Sequence, residues 1–359
     1  MGHLYFQFRC RSFAEEPQRT PKVTARDFRL LRPVCAVLEF SGGSSFTALL
    51  NAQTRKVAVT VNWKNPYAEP SGRWLKGNLH AHSAQGSPCS DIPLSDLLQA
   101  YKARGYDFLS VSDHMTVTRP GCDGLTLLPG LEWNSRIGFM PNGAVTYQDH
   151  LGVYGSHDLL EQCIPLKDRD SVFRAVDGEE CFVVANHPNW TEHGHYDFNT
   201  LLRIAGRIDG MEIFNALVES EEGSAYAVAE WDRLLAAGHR VLGLASDDAH
   251  DAPHVGCAWI MADCADNTST AVLNAIRQGR FYCSSGVSIA SLKRDGDVVS
   301  IVLEEEMRID VIGRAGKLIA RHAGTGAAFS FNTVDTPYVR FHVMDRNWGQ
   351  AWSQPFFRG

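Results

Sequence analysis

The chain has 359 residues, 44% of them hydrophobic and 21% charged, and 34 Lys+Arg stand against 41 Asp+Glu for a formal charge of −7. This size fits one large globular domain with attachments, or two domains, and the acidic balance argues against a surface that coats nucleic acid. No apolar run is long enough to span a bilayer, and nine scattered cysteines without a C-x-x-C pair fit reduced thiols.

Residues 1–19, beginning MGHLYFQFRCRS, read as a tag or a disordered start. LYFQ resembles part of a protease-cleavage tag, and the basic residues follow the apolar ones, unlike a signal peptide. A cytoplasmic location is expected, with a trimmed export signal left open. Residues 20–73 form a β-rich region, in which VCAVLEF, SFTALL and KVAVTVNW are short strand patterns separated by Gly, Ser and Asn turn signals.

Over residues 74–286 strands alternate with helices. KGNLHAHS predicts a strand with His80 and His82 on one face, because residues two apart in a strand share a face. LSDLLQAYKARG carries Leu94, Leu97, Leu98 and Tyr101 at helical spacing, with Ser95 as the expected N-cap and Gly105 as the stop. YDFLSVSDH, LTLLPGLEW, HLGVYG, CFVVANHP, DGMEIFN and RVLGLASDDAH read as further strands. SVFRAVDG, DFNTLLRIAG, EGSAYAVAEWDRLLAAGH and TSTAVLNAIRQG read as helices. Such alternation predicts an α/β domain with a largely parallel sheet. Residues 287–359 return to β patterns, with a hairpin at Asp295-Gly296, and predict a C-terminal β-sandwich-like domain.

Candidate ligands recur at strand ends: His114, Glu132, His187, Glu212, Asn215, Asp247, Asp248 and His250. In a β/α barrel the active site lies at the C-terminal ends of several strands. Of 14 histidines, 11 fall between His80 and His254, which favours a metal site over separate capped turns. Imidazole and carboxylate ligands suit Zn, Mn or Fe. So many ligands exceed the needs of one ion and imply two or three divalent ions that activate water and polarise a phosphoryl or carbonyl oxygen.

Taken in order, NLHAHS, Ser90-Asp91, SDH at 112–114, GLE at 130–132, the His of HLGVYG, NHP at 186–188 and DDAH at 247–250 resemble the motifs of the PHP (polymerase and histidinol phosphatase) superfamily. The resemblance covers about residues 74–286 and implies a distorted (βα)7 barrel binding up to three metals. It implies that His80, His82, Glu132 and Asp248 hold one metal. Glu132 would bridge to a second with His150 and His187, and Asp91, His114 and His250 would hold a third. GRFYCSSG at 279–286 and the ending AWSQPFF resemble the branch that includes carbaryl-hydrolase-like metallohydrolases. Asn78 stands where many members have Asp, the SAQGSPCS loop before Asp91 is long, and Asp247 replaces a common small residue.

Asn215, His254 and Asp247 are expected contacts for substrate. His193 and His195 read as part of a polar loop near the pocket mouth, with Trp190 beside them. His157, His239, His322 and His342 read as structural or surface residues, and Glu304-Glu305-Glu306 as a solvated strand end.

The expected activity is that of a metal-dependent phosphoesterase acting on mono- or diesters of small molecules or nucleotides. A hydroxide held between metals at Glu132 and Asp248 would attack phosphorus. A carbamate, carboxyl-ester or amide hydrolase using the same metals is the alternative. A site that only stabilises the fold would need fewer ligands. The expected partner is a small phosphate ester, with neither a membrane nor extended nucleic acid. Oligomeric state stays open.

Overall fold

A computed structural model describes residues 35–39, 45–49, 65–68, 70–139, 145–191 and 196–358. The chain divides into two units, Met1–Val59 and Thr60–Gly359. In the first, β1 (Cys35–Glu39) and β2 (Ser45–Leu49) pair antiparallel. The expected strand KVAVTVNW lies outside the described residues.

The second unit opens with β3 (Trp74–Asn78) and α1 (Leu94–Ala103). Leu97, Leu98 and Tyr101 of α1 are buried as the spacing predicts. Its N-cap is Pro93 rather than Ser95, which lies inside the first turn. Proline's fixed φ suits the extended entry to the helix, so no capping side chain marks the start. Gly105 ends the segment at φ +72, a left-handed conformation that glycine adopts without Cβ strain. β4 (Phe108–Leu109) and β5 (Thr126–Leu127) run parallel to β3 in the order β3-β4-β5.

β6 (Gly130–Phe139) and β7 (Val145–Tyr154) form an antiparallel pair. After α2 (His157–Cys163) and α3 (Arg169–Ala175), β8 (Phe182–Ala185) pairs antiparallel to β7. Then α4 (Phe198–Ile204), β9 (Gly210–Asn215), α5 (Val228–Ala236) and β10 (Leu242–Ser246) restore the parallel β/α pattern, giving the order β10-β9-β8-β7-β6. Side-chain oxygens of Ser156, Asp168 and Asp197 cap α2, α3 and α4.

The fold is thus mixed α/β, and regular β/α alternation fails in its middle: among the described residues no helix separates β6 from β7, and β7 is antiparallel to both neighbours. The expected long helix from Glu222 is also shorter. Residues 225–227 instead lie along β9, where the amide of Asn215 donates to Ala225 and that of Ala227 donates to Ile213. Two parallel bridges, His114 with Glu132 and Ala81 with Ala249, join the two sheets beyond the strand ends. Between the sheets and helices lies a core that includes Leu131, Trp133, Leu151, Val184, Ile213 and Leu244.

β11 (Trp259–Asp263) pairs antiparallel to β3, and after α6 (Ser269–Arg277), capped by Thr268, β12 (Phe281–Ser284) pairs antiparallel to β11. β13 (Ile289–Asp295) and β14 (Val298–Gly313) form the hairpin expected at Asp295-Gly296. β14 also pairs with β15 (Lys317–Ser330) and β16 (Tyr338–Met344). β17 (Gln350–Ser353) joins β16 to β12, so the sheet runs without a break across residue 286; β18 (Phe356–Phe357) pairs with β16. These strands cover a second apolar cluster around Ile309, Val311, Phe341 and Phe356. Among the described residues no helix is long and apolar enough to cross a membrane.

Candidate metal centre

β3 ends at Asn78, so His80 and His82 fall on its extension rather than inside the strand. Their geometry is still fixed by backbone pairing. The amide of His82 donates to Ala249 O at 2.9 Å, and that of Asp248 donates to His80 O at 3.0 Å. Asp248 and His187 hold left-handed backbone, at φ 51 and φ 26. For residues with a Cβ this conformation is uncommon and clusters at functional sites.

The cluster is almost sealed from water. His80 and His82 are fully buried, and Glu132, Asp248, His187 and His150 are at most 4% exposed. His80 Nε2 and His82 Nε2 are 3.1 Å apart. Glu132 Oε2 lies 3.3 Å from His80 Nε2 and 3.2 Å from His82 Nε2. Asp248 Oδ1 lies 3.2 and 3.1 Å from the same two nitrogens. Glu132 Oε1 meets His150 Nδ1 at 3.0 Å and His187 Nε2 at 3.2 Å. On the other side, His114 Nδ1 is 3.1 Å from Glu132 Oε2, and His82, His114 and His250 converge as a further group.

Outer partners decide which ring nitrogens face inward. His80 Nδ1 is 2.8 Å from Glu212 Oε1, an acceptor only, so Nδ1 carries the proton. Ser87 Oγ donates to Asp113 at 2.8 Å and therefore accepts from His82 Nδ1 at 3.0 Å. Both Nε2 atoms then present lone pairs toward two carboxylate oxygens. Four acceptors at these spacings repel one another unless a cation sits among them. A tetrahedron of ligands at zinc distances would have edges of about 3.3 Å, close to the separations observed. Glu132 Oε2 and Asp248 Oδ1 have no hydrogen-bond partner, as expected of atoms reserved for an ion. The residues present therefore fit a metal.

Electrostatics agrees. Burial disfavours charge on His80, but Asp248, Glu132 and Glu212 outweigh it and raise its pKa well above the ordinary range. Burial likewise opposes charge on His82, and Asp248 and Glu132 push it up to about 9. Burial would raise Glu132, yet His80, His114 and His150 hold it well below the ordinary carboxylate range. Such carboxylates gather protons onto the imidazoles, and a divalent ion takes the place of those protons.

Of the nine expected ligands, eight come together in these groups: His80, His82, His114, Glu132, His150, His187, Asp248 and His250. Asp91 is outside them. It is exposed at the cavity wall, with its amide donating to His250 O at 2.9 Å.

The expected substrate contacts separate. His254 lines the cavity, its Nδ1 2.9 Å from Asp251. Asn215 is buried instead and donates to Glu212 at 2.8 Å and Asp248 at 3.1 Å. Asp247 is buried and accepts from Tyr101 at 3.0 Å, Gly256 N at 2.9 Å and Ala258 N at 2.5 Å, so it anchors a loop and does not face substrate. His193 and His195 lie outside the described residues.

Two residues outside the nine expected ligands hold ligands in place: Glu212, expected from its strand-end position to orient ligands or substrate, and Asp113, which had no expected role. Glu212 grips His80, the amide of His187 at 2.6 Å, and Ser246. Asp113 accepts from Ser83 and Ser87 and so anchors the loop that holds His82. Their adjacency to ligand motifs, at the end of GMEIFN and inside SDH, is the only sequence signal.

A family model described as PHP-associated matches residues 233–281, a segment that contains Asp248 and His250. No curated protein matches the chain. Among solved structures it is similar to a two-domain protein from Bacteroides vulgatus that contains a predicted PHP-like metal-dependent phosphoesterase. The identity is 14%, the TM-score 0.42, and the match covers 80% of this chain and 97% of that one. It is similar to PsfC from Pseudomonas syringae at 15% identity and TM-score 0.40, over 57% of this chain and 88% of that one. It is also similar to the lesion-specific endonuclease PfuEndoQ from Pyrococcus furiosus at 12% identity and TM-score 0.41, over 58% of this chain and 56% of that one. The matched segment is similar to a PHP-associated family and carries two of the residues, Asp248 and His250, on which the resemblance to the PHP superfamily rests.

Proposed function

We propose that the chain is a metal-dependent phosphoesterase that hydrolyses phosphate mono- or diesters. The observation that carries this reading is the set of four buried acceptors, His80 Nε2, His82 Nε2, Glu132 Oε2 and Asp248 Oδ1, in which the two imidazole nitrogens lie 3.1 Å from each other and 3.1 to 3.3 Å from both carboxylate oxygens. We read these four as one metal site, Glu132 with His150 and His187 as a second, and His114 with His250 as the core of a third. Asp91 would complete the third only by turning inward. Under this reading the joined sheets form a distorted seven-stranded barrel with the metals at one end.

When bound, two or three Mn, Fe or Zn ions would supply an activated water and polarise the phosphoryl oxygen. The chain's own part is positional. Glu212 and Ser87 hold the imidazoles in the tautomer that offers Nε2. Asn186 donates to Glu132 Oε1 at 2.9 Å and fixes its plane. His114 and His250, at the cavity surface, stand where they can meet substrate.

The segments GRFYCSSG and AWSQPFF, which suggested cleavage of carbamates, pair with each other as buried neighbours in the sheet. None of their residues lines the cavity, so they bear on packing rather than on the scissile bond. The test is hydrolysis of aryl phosphate mono- and diesters beside aryl esters and carbamates, with added Mn²⁺. Turnover of phosphates is expected. Turnover of carboxyl esters or carbamates alone would overturn the proposal.

A further inference from the structure

The cavity over the cluster has a volume of about 990 Å³, room for far more than a phosphoryl group. Beyond the ligands its walls include Asn134 and His254 and two larger groups. Met115, Ile164, Leu166, Trp190 and Leu217 give an apolar surface. Its acidic and ammonium side chains beyond the ligand groups are Asp91, Lys167, Glu221 and Asp251. Among the described residues no arginine lines the cavity, and Lys167 is its one ammonium. Sites that bind several phosphates need several guanidinium or ammonium groups, or a helix N-terminus aimed at them. Among the described residues, Glu221 and Asp251 still outnumber the single ammonium once the metal ligands and Asp91 are set aside.

We propose that the substrate is an ester whose arm is apolar, aryl or alkyl, and whose one anionic group is the group that reacts. Nucleotides carrying further phosphates, and arms with a carboxylate, would be rejected by Glu221 and Asp251. The inference rests on the phosphoesterase reading above. The apolar wall supplies affinity through burial of the arm. The acidic groups supply discrimination, because like charges at a binding surface disfavour the wrong partner.

The test is calorimetric binding of methylphosphonate, phenylphosphonate and 4-carboxyphenylphosphonate to the full chain loaded with Mn²⁺. Phenylphosphonate should bind at least about tenfold more tightly than either of the others. Glu221→Lys, at an exposed position, should narrow the gap between phenyl- and carboxyphenylphosphonate by about threefold or more. Equal or tighter binding of the carboxylated ligand overturns the inference, as does a methyl ligand that matches the phenyl one. If no phosphonate binds but aryl carbamates are turned over, the phosphoesterase reading fails. The arm preference is then read from neutral against carboxylated carbamates, where equal rates overturn it. Absence of both binding and turnover overturns both.

Discussion

Glu212 lies 132 residues beyond His80 in the chain, yet its carboxylate touches His80 Nδ1 and the amide of His187. It contacts two ligand residues and lines no part of the cavity, which makes it a positioning residue. Partners of this kind typically change metal affinity by about 10- to 100-fold when removed. Glu212→Gln should therefore weaken Mn²⁺ binding by that order in chelator competition, with circular dichroism unchanged. Unaltered affinity would strip Glu212 of the role. The ligands themselves were legible because residue type and strand-end position carry the chemistry. Asp113 was not, and for Glu212 only the strand-end position was, since their partners are set by tertiary contact. Asp247 was misjudged for the same reason: next to Asp248 in sequence, it points the other way, to Tyr101 and the backbone of residues 256 and 258.

Helices with strong apolar periodicity and polar caps could be read directly, as in α4 and α6. The antiparallel turn of β6, β7 and β8 could not, because strand direction leaves no trace in periodicity. β4 and β5 are two residues long and exist only through pairing, β4 with β3 and β5 with β4. At Gly77 of β3 the reason for glycine is steric: an added Cβ would overlap the Phe108 ring on β4. Gly77→Ala should lower stability by about 1–3 kcal/mol in urea unfolding, and a neutral result would show that the ring can move aside. α5 is tied to the C-terminal strands by Asp232, which Arg340 of β16 bonds through two nitrogens at 2.9 and 2.7 Å, all of it buried. Asp232→Ala would leave a buried guanidinium without its carboxylate and should cost about 3–5 kcal/mol. A loss below about 1 kcal/mol would mean that water or another acceptor replaces it.

For the molecule as a whole, the continuous sheet from β13 to β5 makes the C-terminal strands part of the scaffold that carries β3 and, beyond it, His80 and His82. Sequence marked those strands but not their continuity with β12, which depends on β17 inserting between β16 and β12. His342 in that sheet stacks on Trp352 and pairs with Gln350 at 2.8 Å. Burial, aided by Arg340, pulls its pKa from 6.5 down to about 4. Its contribution to stability is complete above pH 6.5 and is lost as pH falls through about 4, because the unfolded chain binds the proton first. His342→Gln should therefore lose less melting temperature than the parent between pH 6.5 and 4. Parallel curves would contradict the assignment.

The most direct measurement is the metal content of the purified chain after exposure to Mn²⁺, taken together with hydrolysis of an aryl phosphate, for the parent and for Glu132→Gln. The account predicts two or three transition-metal ions per chain with turnover in the parent, and loss of turnover with a reduced ion count in the variant. A parent chain that binds no ion, and gains no activity when Mn²⁺ is added, would contradict it.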